Sequence, residues 1–139
     1  MRACFIVLDY DLPGAVSARK LVIESARLNV ITAYSQDEAI QTLERFPRVD
    51  GVVINTHVEG RLTCQAFVEK LHEVRRGVPI VTVSASGDAP CGGEQFHVSS
   101  YDPRSLLTVL EKMSPDAARE IEHEDEREEE IEQKKRGEN

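Results

Sequence analysis

Residues 49–60 read VDGVVINTHVEG. An apolar, β-branched run from Val49 to Ile54 stops at Asn55, and a polar loop follows to Gly60. A continuous apolar run bounded by turn residues suits a strand buried on both faces, as in a parallel sheet covered by helices. In such sheets ligands and reacting groups gather at the carboxyl ends of the strands. Asn55, the polar residue that ends the run, is therefore the first candidate site residue.

The same alternation extends in both directions. Cys4 to Leu8 is a second apolar run, followed at once by Asp9, Tyr10 and Asp11. Pro13 opens an expected helix to about Leu28, and NVITAY (29–34) reads as the next strand. Ser35 and Glu38 form a capping-box pattern ahead of a helix that Pro47 stops. Beyond Asn55, helical spacing of Phe67, Leu71 and Val74 predicts a helix over about 62–76, with Gly77 at its end. PIVTVSA (79–85) and QFHVSS (95–100) are expected strands, and Asp102-Pro103 starts a last core helix lined by Leu106, Leu107, Leu110 and Met113. Five short strands alternating with helices imply parallel crossovers, hence an open α/β sheet with helices on both faces.

The chain has 139 residues and a formal net charge of −8. Residues 116–139 carry 11 acids and 5 bases, so most of the charge belongs to the C-terminal segment. We expect a single domain over 1–114 and an acidic tail over 115–139, helical or disordered, with too few large apolar residues to pack as a core helix. An acidic chain without a basic stripe argues against nucleic-acid binding. The absence of a long apolar run argues against a membrane span, and MRACFIVLDYD lacks a signal-peptide pattern, so a cytoplasmic protein is expected. Cys4, Cys64 and Cys91 lie far apart without metal-ligand spacing and are expected as free thiols. Cys4 and Cys64 then act as small core residues, and Cys91 lies in an exposed loop.

Taken together, residues 3–113 resemble the receiver domain of two-component response regulators. IVLDYD (6–11) resembles the strand that carries the acid cluster, and NVITAYSQDEAIQTLE (29–44) the second strand and helix. VDGVVINTHVEG aligns without a gap to the phosphoacceptor motif, with Asn55 at the phosphoacceptor position. PIVTVSA puts Ser84 at the Thr/Ser position, and VSSYDPRSLL (98–107) puts Ser99 at the Lys position and Tyr101 at the aromatic one. The resemblance implies a flavodoxin-like, CheY-like fold with strand order 2-1-3-4-5.

The departures from that pattern bear on function. Phosphoryl transfer to a receiver needs a carboxylate nucleophile, whereas Asn55 offers a neutral amide. Asp9 keeps an acid for a magnesium ion, Tyr10 stands where the second acid belongs, and Ser99 cannot supply the Lys charge. The resemblance therefore implies a pseudo-receiver with a degenerate pocket of Asn55, Asp9, Tyr10, Asp11, Ser84, Ser99 and Tyr101, and no catalytic residue of its own. It calls for no cofactor and leaves only weak magnesium binding at Asp9 and Asp11. The clustered serines 84, 99 and 100 lack a GxSxG elbow or a paired base, which speaks against hydrolase chemistry.

Only residues 85–98 separate Ser84 from Ser99, and SGDAPCGGEQ is rich in Gly and Pro, so the fourth helix is expected to be shortened or absent. An apolar flank beside strands four and five would then need cover from a rearranged loop, the tail or a second chain. The expected role is a stand-alone, phosphorylation-independent interaction module in bacterial signalling. Its expected partner is another signalling protein or a second copy bound through that flank. The alternatives are a phosphorelay receiver using Asp9 or Asp11, and a small-ligand sensor at the altered strand-end pocket.

Overall fold

The computed structural model describes residues 3–8, 23–24, 26–56, 60–84, 90–98, 103–114, 116–119, 121–122, 126–127 and 131. Five strands, β1 (Cys4–Leu8), β2 (Asn29–Ala33), β3 (Gly51–Asn55), β4 (Ile80–Val83) and β5 (Phe96–Val98), form one parallel sheet in the order β2-β1-β3-β4-β5. Among the described residues three complete helices accompany it: α1 (Gln36–Arg45), α2 (Cys64–Val74) and α3 (Pro103–Met113). The architecture is the flavodoxin-like one expected, with the central strands β1 and β3 paired through Phe5–Gly51, Ile6–Val52 and Val7–Val53. No described helix is long and apolar enough to cross a membrane.

Side-chain alternation along each strand sorts the core into two layers. Ile6, Leu8, Val52, Ile54 and Ile80 face α1 and α2, where Ala39, Leu43, Phe67, Val68 and Leu71 meet them. Phe5, Val7, Val53, Val81, Val83 and Val98 face the opposite layer, built from Ile23, Ala26, Leu28 and the α3 residues Leu106, Leu110 and Met113. The run of apolar residues at consecutive positions in β1 and β3 is thus the signature of a strand buried on both sides.

Helix ends follow local chemistry. Ser35 Oγ accepts the Glu38 N–H at 3.1 Å, and the Glu38 carboxylate accepts the Tyr34 N–H at 3.3 Å, so the capping box closes one residue outside its usual position. Thr63 caps α2 by accepting the Ala66 N–H. Of the helix expected from Pro13 to about Leu28, residues 13–22 and 25 lie outside the described residues; 23–24 are helical and 26–27 form a turn. Leu28 N–H bonds Ile23 C=O and Arg27 N–H bonds Glu24 C=O, with Arg27 at φ 61°, a Schellman turn built without glycine.

Two findings correct the sequence reading of packing. The segment after Ser114 is not merely solvated: Ala117 and Ile121 are 0% and 1% exposed and belong to the core beside Leu110 and Met113. Ser114 starts that segment, donating its hydroxyl to Asp50 Oδ1 at 3.1 Å and accepting the Ala117 N–H at 3.3 Å. Asp50 Oδ2 in turn accepts the Cys4 N–H at 2.9 Å. Thus one carboxylate joins the start of β1, the entry to β3 and the C-terminal segment. Composition averages over the whole segment, whereas two well-placed apolar residues suffice to seat its first turns.

The second correction concerns the cysteines. Cys64 at the start of α2 and Cys91 in the β4–β5 connection are joined by a disulfide, with a Cα–Cα distance of 5.3 Å. Cys4 alone is free, and burial, followed by the nearby Asp50 charge, pushes its thiol pKa up. Cys64 and Cys91 are 27 positions apart in sequence, and only the fold brings them together.

Candidate functional site at the strand ends

β3 and β4 run side by side, with Asn55 opposite Val83, so Asn55 and Ser84 emerge at neighbouring carboxyl ends. Thr56 N–H bonds Val83 C=O at 3.1 Å and Ser84 N–H bonds Val98 C=O at 2.9 Å, which extends the ladder to the rim. Asn55 is half-buried and Ser84 fully buried. Asp9, Tyr10 and Asp11 directly follow β1 in the chain, and Ser99 and Tyr101 follow β5; these five lie outside the described residues. The structure therefore brings together Asn55 and Ser84 of the expected pocket. His57 likewise lies outside the described residues.

The loop that leaves Asn55 is held from the side. Gln36, 6% exposed at the first turn of α1, donates from Nε2 to Leu62 C=O at 2.9 Å and accepts the Leu62 N–H on Oε1 at 3.1 Å. Its amide pairs with Leu62 as a neighbouring strand would. A Cβ on Gly60 (φ 137°) would run into the Gln36 amide, so glycine there lets the loop lie against its clamp.

The residues between β4 and β5 give the largest difference from a helix-covered receiver pattern. Ser84 and residues 90–95 are described, and they contain no helix. The β4–β5 face that such a helix would cover is polar. Thr82, Ser84 and His97 continue the even-numbered side of β4 and its partner on β5, and Thr82 pairs directly with His97. Described residues of the connecting loop lie against this flank, and the surface they meet is hydrophilic where an apolar one was expected.

A relay of hydrogen bonds crosses that face. The Thr82 hydroxyl donates to Glu94 Oε2 at 2.8 Å, which commits its single hydrogen. The contact from Thr82 Oγ1 to His97 Nδ1, 2.7 Å, then requires the imidazole to donate. Nδ1 carries the proton, so in the neutral ring Nε2 accepts from the Ser84 hydroxyl, at a long 3.4 Å. Glu94 also accepts the N–H groups of Cys91 at 2.8 Å and Gly92 at 2.7 Å. Burial alone would push the Glu94 carboxyl up, but the Thr82 hydroxyl and these backbone donors outweigh it and hold its pKa below the usual range. Gln95 closes the edge by accepting the Ile80 N–H at 3.0 Å and donating to Val78 C=O at 3.0 Å. His72 on α2 is half-buried with Nε2 3.1 Å from Val78 C=O.

Sequence reasoning missed this relay, although its signal is present in the parity of PIVTVS. Positions 80, 82 and 84 share one side of the strand, and that side turns from apolar to polar midway. His97, within the expected strand QFHVSS, has Thr82 and Ser84 as its partners. Ser84 does face an imidazole, but its complete burial withholds the hydroxyl from any substrate in solvent. Among the described residues no group of three or more His, Cys, Asp or Glu side chains converges as a metal site. Of the oxygen ligands a magnesium ion would require, β3 supplies only the neutral Asn55 amide.

Comparison with known proteins gives the fold a class. No family model and no curated protein sequence matches the chain. Solved structures do match. The chemotaxis protein CheY4 of Vibrio cholerae superposes with a TM-score of 0.64 at 19% identity, over 82% of this chain and 100% of that one. A CheY-like response regulator receiver domain protein of Methanospirillum hungatei JF-1 gives 0.67 at 18% identity, over 86% and 99%. The receiver domain of a sensor histidine kinase of Pseudomonas aeruginosa PAO1, which holds magnesium in its active-site cleft, gives 0.65 at 16% identity, over 81% and 98%. The fold is therefore that of the CheY-like receiver domains.

Proposed function

We propose that this chain is a receiver-like signalling domain that acts without aspartyl phosphorylation, as an interaction module in bacterial signal transduction. The observation that carries the reading is Asn55 at the carboxyl end of β3, the position that the sequence resemblance aligns with the phosphoacceptor of receivers. An amide has no negative charge to attack a phosphoryl group and adds none to a magnesium site. Ser84 supports the same conclusion, because its hydroxyl is turned to His97 within a buried relay. The partner on this reading is another signalling protein or a second copy of the chain, the setting is the cytoplasm, and the domain performs no catalytic step of its own.

The test is incubation of the full chain with acetyl phosphate and magnesium, followed by intact mass under non-hydrolysing conditions. No phosphoryl adduct is expected. An adduct that maps to Asp9 or Asp11 would overturn the proposal and return the chain to phosphorelay chemistry.

A further inference from the structure

The disulfide lies where it can control the relay just described. Segment 90–95 covers the polar β4–β5 face, and its attachments divide into two sets. Glu94 and Gln95 tie it to β4 through Thr82, Ile80 and Val78. Toward α2, among the described residues, the links are the Cys64–Cys91 bond, a contact of Gln95 Nε2 with His72 Nε2 at 3.3 Å, and plain packing. A Cβ on Gly92 would lie 3.5 Å from the Gln65 side chain, and one on Gly93 3.4 Å from Val68, so residues 91–93 rest on the first turns of α2. Both glycines hold positive φ, 107° and 87°, conformations that glycine leaves and re-enters without a side-chain penalty.

We propose that Cys64–Cys91 is a thiol–disulfide switch. In the oxidised chain the bond clasps residues 91–93 onto α2, and reduction by a dithiol releases them and opens the face formed by Thr82, Ser84 and His97. A thiolate of the reductant attacks one sulfur, giving a mixed disulfide and one protein thiolate. The second reductant thiol then displaces the other protein sulfur. Two protein thiols and an oxidised reductant result, with two electrons and two protons transferred. Release reaches the strand end by a short route. The Cys91 and Gly92 N–H groups are two of the donors that fix Glu94, Glu94 fixes the Thr82 hydroxyl, and Thr82 orients His97 toward Ser84. The proposal also reconciles a bonded pair with the expected cytoplasmic setting, where disulfides are transient and regulatory. It does not depend on the chemistry of Asn55.

The test uses the full chain, oxidised with glutathione disulfide and then reduced with dithiothreitol. Alkylation under denaturing conditions is expected to count one thiol before reduction, Cys4, and three after it. Amide hydrogen exchange read by NMR is expected to rise at least tenfold at Cys91, Gly92 and Gly93 on reduction, with a shift of the His97 ring nitrogens. Exchange in β1 and β3 is expected to stay unchanged, and reoxidation to restore the first pattern. Cys64→Ser and Cys91→Ser should hold the reduced pattern in either condition, and Cys4→Ser should behave as the parent does. Three thiols after oxidation, equal exchange in both states, or loss of protection throughout β1 and β3 would each overturn the proposal. The phosphoryl-adduct measurement is independent, so the failure of one reading is distinguishable from that of the other.

Discussion

Replacing Ile121 by alanine tests whether the C-terminal segment belongs to the folded unit. The side chain is 1% exposed in the layer formed by Leu110, Met113 and Ala117. Isoleucine to alanine removes three carbons, worth about 2.4 kcal/mol of transfer free energy at ~0.8 kcal/mol per buried methylene. The cavity left behind adds to that loss, so the expected cost falls within the roughly 2–5 kcal/mol seen for such truncations. Urea unfolding of the full chain measures it as a fall in the midpoint at constant slope. Ile131 is the internal control, since it is 54% exposed and its alanine variant should change stability by no more than about 0.5 kcal/mol. A chain truncated after Ser114 should lose at least as much as Ile121→Ala. If Ile121→Ala and Ile131→Ala prove equally harmless, the segment does not pack against the core and the two-layer description of α3 and its continuation is wrong.

Gly51→Ala should cost about 1–3 kcal/mol by overpacking. Its Cβ would run into the Met113 side chain and lie 3.1 Å from the Pro79 carbonyl, a backbone atom that cannot swing aside. Thermal unfolding of the variant checks this. Gln36→Ala removes both bonds to Leu62 and should cost about 1–3 kcal/mol, with faster exchange of the Leu62 amide and no change at β5. Glu94 gives a pH dependence of defined sign. Its folded pKa is lowered, so its contribution is fully present above the unfolded value, about 4.3, and is lost as pH falls through the folded value. Denaturation across that window should show this acid loss in the parent and a reduced slope in Glu94→Gln.

The sheet was legible because its strands are buried on both faces. Cys4–Leu8 and the run ending at Asn55 have no competing reading as half-exposed strands, and Pro and Gly punctuate the rest. Asn55 and Ser84 were legible as strand-end residues for the same reason. What sequence spacing could not show was any contact made by a side chain across the fold. Gln36 sits in a charged-looking first turn, yet burial turns its amide toward Leu62, 26 positions away. Gln95 and Glu94 read as loop polarity, but one completes the edge of β4 and the other collects three donors. The disulfide belongs to the same class, because the cysteine count argued for free thiols and only the position of the loop against α2 brings the pair together. Ser114-Pro115 could have been recognised, since a serine followed by proline has the same N-cap and first-turn form that Asp102-Pro103 has.

The contacts of Glu94 and Gln95 and the disulfide share a physical origin in the short connection between β4 and β5. A helix satisfies its own backbone and presents an apolar stripe, so it asks only for an apolar sheet face in return. A loop of this length has N–H groups that need acceptors and little apolar surface to offer. Glu94 answers the first need by accepting the Cys91 and Gly92 N–H groups, and its charge is then compensated by the Thr82 hydroxyl. Thr82 and His97 stand where a covering helix would require apolar residues, and the Cys64–Cys91 bond adds a covalent hold on α2 to the packing there. Among the described residues, the absence of a helix between β4 and β5, the polar side of β4 and the disulfide therefore form one coupled change. On the proposed reading, that change leaves Ser84 bonded within the sheet, where it no longer serves the strand-end position occupied by Asn55.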